Sequence, residues 1–350
     1  MVVQEHSTRG FSDLFLIFNL TEQNFRLGGI MLTRKDFLFK KIIIVFLNHG
    51  EKMRFRNDNL IVEDKKGKIK HQSTCYRLFS VFIVGSFTIT TGLLQRAKRF
   101  GFSIVLLTHS FRVYEVLSCQ TKGNTILRRK QYQENSSQYA QLFTYNKIDN
   151  QIRAIKKARQ AGKLAEETIN RLILHKTNLE SVSDLKSILG LEGSAARIYF
   201  QQMFLEFNWS GRKPRVKHDI NNCLLDIGYT ILFSFMESLL DLYGFDLYVG
   251  YYHQTFYQRK SLVCDFVEPF RCIIDYQIRR LNRLGSIDPN DFITINNRYQ
   301  IKYKFSSKYV GKLLKSILKF KEEIFLYVQK FYRCYVNNKN IENYPIFTYR

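Results

Sequence analysis

Ile42-Ile43-Ile44-Val45-Phe46-Leu47 is a short apolar run led by β-branched residues, and reading it as a strand decides the fold of the first third of the chain. The pattern repeats around it. Met53 to Arg56 and Leu60 to Glu63 flank the turn signal Asn57-Asp58, and Lys65-Lys66-Gly67 marks a second hairpin turn. Thr91 is placed to cap a helix over Gly92 to Phe100, Gly101 to close it, and Ser103 to Thr108 returns to strand. From Lys41 to about Cys119 this order predicts a small β-sandwich-like domain with one inserted helix. Residues 1–30 have no clear period and end in Leu27-Gly28-Gly29-Ile30, just before Met31. They are expected to be an extension that the fold does not need.

Past about Gln131 the spacing becomes helical and stays so. Ile152, Ile155, Leu164 and Ile169 alternate with Arg153, Lys156, Lys157, Arg159 and Lys163, an apolar stripe beside a basic face. The expected class is α+β, with an N-terminal β-rich domain over residues 31–130 and an all-α domain over residues 131–350.

Charge narrows the partners. Lys and Arg number 54 against 30 Asp and Glu, a formal net charge of +24, so a polyanion is expected, because neutralising phosphates releases condensed counterions. An anionic membrane surface would suit the same charge but needs an anchor. Ile227 to Met236 is bounded by Asp226 and Glu237 and is too short to span a bilayer. Phe11 to Phe18 contains Asp13 and lacks a small-residue cleavage site after it, a poor signal peptide. Six cysteines without a Cys-x-x-Cys pair give neither a disulfide framework nor a zinc ribbon. Reduced thiols in a cytoplasmic protein are the simplest expectation.

Four residues scattered through the second half carry metal-capable groups: Glu192, His253, Asp265 and Glu268. Three acidic groups and one imidazole are what a divalent-metal site acting on a phosphodiester needs. Each has a plain structural reading as well. Asp265 and Glu268 are three apart, as the N-cap and N3 residues of a capping box would be. Glu192 lies between Gly190 and Gly193 and would serve as a first-turn carboxylate complementing the helix dipole. His253 follows a loop-like stretch with two glycines, Gly244 to Gly250, and a lone histidine is more often structural than a ligand. Two basic segments are candidate phosphate contacts: the loop residues Arg212, Lys213, Arg215 and Lys217, and Lys308, Lys312, Lys315 and Lys319 along one side of a later helix.

The arrangement of these motifs is similar to one family. Glu192-Gly193-Ser194-Ala195-Ala196 before Tyr199-Phe200, Asp219 to Asn222 before a long helix, Gly244-Phe245-Asp246-Leu247-Tyr248-Val249-Gly250 before His253, and Asp265 through Glu268-Pro269-Phe270-Arg271 with a further Asp275 resemble the CRISPR adaptation integrases, the universal Cas-one subunit family. Thr88 to Leu94 and Phe102 to Leu107 look like the strand, helix and strand of that family's small β domain. The resemblance spans roughly residues 35–340.

It implies that Glu192, His253 and Glu268 are ligands to Mg²⁺ or Mn²⁺, with Asp265 the acidic neighbour that supports the site. It implies a β-rich dimerisation domain before an all-helical catalytic domain, and a homodimer bridged to a second dimer by a small ferredoxin-like subunit. The implied activity is insertion of short DNA duplexes into the leader end of a CRISPR array, in a prokaryotic cytoplasm. Arg215-Val216-Lys217-His218 departs from the family's usual Arg/Pro-rich run. Two other classes use subsets of these residues: a stand-alone nuclease with water as nucleophile, and a non-catalytic DNA-binding assembly subunit, which would not need the acidic constellation.

Overall fold

The computed structural model describes residues 32–85, 88–118, 123–134, 137–159, 162–207 and 209–350. The expected dispensable extension over residues 1–30 and Cys119 therefore lie outside the described residues.

Helix α1 (Arg34–Phe39) opens on a capping box made by Thr33 and Asp36. Strand β1 (Lys41–Phe46) follows, and then a three-stranded antiparallel sheet of β2 (Lys52–Arg56), β3 (Asn59–Glu63) and β4 (Ile69–Thr74). Its first turn is the Asn57-Asp58 pair, with φ of 48° and 55° and Arg56 facing Asn59 across the ladder. Positive φ at both central residues is what a tight two-residue hairpin requires, and Asn and Asp tolerate it. β5 (Leu78–Val84), α2 (Thr91–Phe100), β6 (Ser103–Leu107) and β7 (Val113–Leu117) complete the half. The cap of α2 is Thr90, one residue before the expected Thr91, and Gly101 closes it in the left-handed region at φ 65°.

The second sheet has the order β1-β5-β6-β7, with β5 parallel to both β1 and β6 and β7 antiparallel to β6. All seven residues of β5 and all five of β6 are buried, as expected of strands covered on both faces. Leu78, Val81, Ile83, Ile104 and Leu106 pack with Leu60 and Val62 of the first sheet and with Leu93, Ala97 and Phe100 of α2. Phe79, Phe82, Val84, Val105 and Leu107 face the other way, into the core of the helical half. Phe37 of α1 ties that seam: its ring stacks on Phe325 at 4.2 Å between centroids and meets Phe79 edge-on at 5.2 Å. The sandwich-like half and the helical half thus share one core.

The helical half runs α3 (Thr125–Gln133), α4 (Ser137–Lys157), α5 (Lys163–Asn178), α6 (Leu185–Met203), α7 (Ile220–Tyr243), α8 (Ser261–Val267) and α9 (Arg271–Arg283). After these come the hairpin β8 (Phe292–Ile295) and β9 (Arg298–Ile301), then α10 (Ser306–Leu318) and α11 (Lys321–Val336). The hairpin corrects the expectation of an all-helical second half: Asn296 and Asn297 sit at φ 50° and 58° and turn the chain as Asn57-Asp58 does. The predicted stripe through Ile152 and Leu164 is also divided, because α4 ends at Lys157 and Leu164 is exposed.

α7 is the central helix. Among the described residues it alone is long and apolar enough to cross a membrane, but 83% of its apolar window is buried inside the protein, which makes it a core helix. Asp219 caps it by accepting the Asn222 N–H at 2.7 Å. Gly228 sets its approach to α9: a Cβ there would lie 2.4 Å from Ile274 Cγ2, so any larger residue would push the two helices apart.

Candidate active site

Lys147, from the middle of α4, stands at the centre of the site. The C-terminal tail fixes that helix: Asn146 and Asn150 clasp the backbones of Phe347 and Tyr349 through four hydrogen bonds of 2.7–2.9 Å. Lys147 then faces Glu192 of α6 and Glu268 at the junction of α8 and α9. Its ammonium contacts Glu192 Oε1 and lies 2.5 Å from Glu268 Oε2.

Glu192 is not in a first turn, as the sequence suggested. α6 begins at Leu185, where Asp184 Oδ1 accepts the Ser187 N–H at 2.8 Å, and the helix runs through Gly190 and Gly193, around which space is open. This places the Glu192 carboxylate mid-helix. The Tyr252 hydroxyl donates to its Oε2 at 3.1 Å.

The capping-box reading of Asp265 and Glu268 is likewise overturned. Lys260 occupies the cap position of α8, Asp265 lies inside that helix, and Glu268 opens a 3₁₀ turn leading into α9. Asp265 organises the loop that carries His253. Fully buried, its Oδ2 accepts the N–H groups of Tyr251 (2.6 Å) and Tyr252 (3.1 Å). Its Oδ1 takes the N–H of His253 at 2.8 Å and lies 2.7 Å from His253 Nδ1. Gly250 is the only residue type that fits beneath, since a Cβ there would meet Asp265 Oδ2 and the His253 carbonyl at 2.8 Å. With Nδ1 committed to Asp265, the imidazole presents Nε2, 3.9 Å from Glu268 Oε1. A carboxylate behind a histidine in this way fixes the tautomer and orientation of a metal ligand.

Glu268 is 3% exposed. Burial opposes its ionisation, but Arg271, Lys147 and His253 together hold its carboxyl at about 2, well below the usual range. Arg271 Nη2 lies 2.9 Å from its Oε1. Its Oε2 is buried and, despite the nearby ammonium, accepts no aligned hydrogen bond. Next to this group Asp275 is pushed up to about 6 by burial, although the Tyr229 and Tyr199 hydroxyls donate to it.

Two carboxylates and an inward-facing imidazole nitrogen fit a divalent cation that takes oxygen and nitrogen donors. They are not yet closed around one point. Among the described residues no three acidic, imidazole or thiol groups form a ready-made chelating cluster, and the Lys147 ammonium lies between the two carboxylates instead. The structure thus brings Glu192, His253 and Glu268 to one place and sets Asp265 behind the histidine.

The site opens into a cavity of about 1100 Å³. The predicted basic loop contributes Arg212, Arg215 and Lys217 to its wall, while Lys213 is exposed and does not line it. Two of these are partly committed: Arg212 pairs with Asp226 at 2.6 Å, and Lys217 Nζ donates to the Ser110 carbonyl at 3.0 Å. Lys312 and Lys315 on α10 and Lys319 just past its end do not line the cavity, and Lys308 is paired with Asp291 at 2.6 Å. Arg112, Arg259 and Arg298, which the sequence gave no reason to select, do line it. Lys147 was missed as well. Its signal was available: Asn146-Lys147 and Asn150-Gln151 recur four apart, on one face of α4, and all four are buried.

Fold and site together define an α+β protein in which a sheet and a helical array share a core, with a partly buried acidic and imidazole cluster opening on a basic cavity. The family model described as CRISPR associated protein Cas1 matches residues 44–315, and the chain belongs to that family. A relative from Thermodesulfovibrio yellowstonii, described as a CRISPR-associated endonuclease Cas1, is 32% identical over 243 residues, covering 64% of this chain and 75% of that protein. Among solved structures, one described as a casposase bound to integration product has a TM-score of 0.73 at 19% identity, covering 88% of this chain and 94% of that one. A chain of a Cas6-RT-Cas1–Cas2 complex has a TM-score of 0.76 at 23% identity, covering 88% of this chain and 36% of that longer one.

Proposed function

We propose that the chain is a metal-dependent DNA integrase of CRISPR adaptation, joining the 3′-hydroxyl ends of short duplexes into the leader-proximal repeat of an array. The observation that carries this reading is the meeting of Glu192, His253 and Glu268 at a cavity walled by Arg212, Arg215, Arg271 and Arg298. The donors suit Mg²⁺, and the imidazole makes Mn²⁺ at least as acceptable. A divalent ion held by Glu192, His253 and Glu268 would neutralise the phosphodiester, favour loss of the 3′-hydroxyl proton and stabilise the leaving oxygen.

The chain's own residues prepare that chemistry. Arginines in the cavity wall hold the DNA backbone as charged, directional donors. Arg271 keeps Glu268 ionised, and Asp265 keeps the free nitrogen of His253 turned inward. Family membership and the likeness to a casposase holding an integration product support strand joining as the reaction. The proposal extends to the partners: duplex DNA as protospacer and as leader-repeat, a second copy of the chain, and a small ferredoxin-like subunit bridging two dimers, all in a prokaryotic cytoplasm.

The test is incubation of the protein with a 3′-hydroxyl duplex and a supercoiled target, stripped of metal and then given Mg²⁺ or Mn²⁺, with and without the small partner. Covalently joined product that returns with metal supports the proposal. Metal-dependent cleavage without joining under every condition would mark a nuclease that uses water.

A further inference from the structure

Two carboxylates that face one another, Glu268 buried and Glu192 half-buried, repel when both are ionised, and leaving them unneutralised where water is largely excluded is unfavourable. Here the neutralising charge comes from the chain. Lys147 is 9% exposed, its ammonium touches Glu192 and lies 2.5 Å from Glu268 Oε2, and it enters from a helix held in place by the C-terminal tail. Those two oxygens belong to the groups that would take a divalent ion. Ammonium and metal cannot both occupy the space between them.

We infer that Lys147 is a positioning residue, the resident counterion of the unloaded metal site: its ammonium holds Glu192 and Glu268 in register and is displaced when a divalent ion binds. The cavity gives the displaced side chain somewhere to go, because Lys147 lines it together with Glu192 and Glu268. A flexible four-carbon stem lets the ammonium turn outward, where a substrate phosphate would meet it. This inference rests on the reading of the site as a metal centre.

Mn²⁺ alone is the probe, followed by calorimetry and by electron paramagnetic resonance of the full chain without DNA. Lys147→Met should bind Mn²⁺ on the order of tenfold more tightly than wild type, since the ion no longer competes with an ammonium and relieves an uncompensated carboxylate pair. The metal-free variant should melt several degrees lower, a loss that Mn²⁺ reverses. Lys147→Arg keeps the charge and should stay near wild type in affinity. A wild-type readout stands if the Met variant does not fold: reductive methylation with mass spectrometry should modify Lys147 poorly without metal and readily with Mg²⁺. Equal Mn²⁺ affinity in wild type and Lys147→Met, or methylation of Lys147 indifferent to Mg²⁺, overturns the inference. Failure of wild type to bind Mn²⁺ at all would instead remove the metal centre on which it rests.

Discussion

Asp265→Asn is the substitution whose cost the structure fixes most closely, because it removes a charge while leaving the shape almost unchanged. Asp265 is fully buried; Oδ2 accepts the backbone N–H groups of Tyr251 and Tyr252, and Oδ1 serves the backbone and the ring of His253. An asparagine has one acceptor oxygen and one NH₂. Turned toward Tyr251 and Tyr252, its NH₂ faces two N–H donors; turned toward His253, it faces one N–H donor and a ring nitrogen that accepts in the other tautomer, so one or two of the four hydrogen bonds are lost. Bonds to a charged acceptor contribute about 1.5–3 kcal/mol each, which gives a loss of about 1.5–6 kcal/mol against a typical domain stability of about 5–15 kcal/mol. Equilibrium urea unfolding at neutral pH, followed by circular dichroism, measures it. The same loosening frees the His253 ring, so strand joining should fall along with stability. A loss below about 1 kcal/mol would mean that Asp265 does not organise the loop.

Glu192→Ala, His253→Ala and Glu268→Ala should each lower strand joining on the order of a thousandfold or more, with circular dichroism retaining the fold; near-normal joining by any of them removes that residue from the site. Gly250→Ala should destabilise the same loop as Asp265→Asn, since its Cβ would meet Asp265 Oδ2 at 2.8 Å, and an unchanged melting temperature would contradict the packing. Asp275 is raised from 3.8 to about 6, so between those values the folded state binds more protons than the unfolded one, and stability from this group falls as pH rises through that window. Asp275→Asn should therefore remove about 2 kcal/mol of pH-dependent loss between pH 4 and pH 6, and parallel stability profiles for variant and wild type would refute this. For DNA binding, replacing Arg112, Arg215 and Arg298 should flatten the salt dependence of affinity by about 0.9 for each phosphate no longer neutralised. Replacing Lys312, Lys315 and Lys319 should flatten it less, and the reverse order would move the DNA path from the cavity to α10.

Local chemistry accounts for what was legible in the sequence. The turn at Asn57-Asp58 and the closing Gly101 each act within a few residues, and each is where the sequence placed it. The strand order was not legible, because β1 pairs in parallel with β5 across more than thirty residues and nothing in either strand encodes that register. Glycine misled at Glu192: Gly190 and Gly193 looked like a boundary, yet tertiary packing of α6 against α4 and α5 carried the helix through them. The pair Asp265 and Glu268 obeyed a capping spacing, but Asp265 spends its lone pairs on a loop twelve to fourteen residues upstream, a contact that only the fold creates. Lys147 had the clearest unread signal, a lysine among buried asparagines and aromatics in α4.

Strand joining with a 3′-hydroxyl duplex and with the same duplex ending in a 3′-deoxynucleotide, each in Mn²⁺ with wild type and with Glu268→Gln, tests the central claim most directly. The account predicts covalent product only for the 3′-hydroxyl duplex with wild-type protein. Target cleavage that ignores the 3′ end, or joining that survives Glu268→Gln, would contradict it.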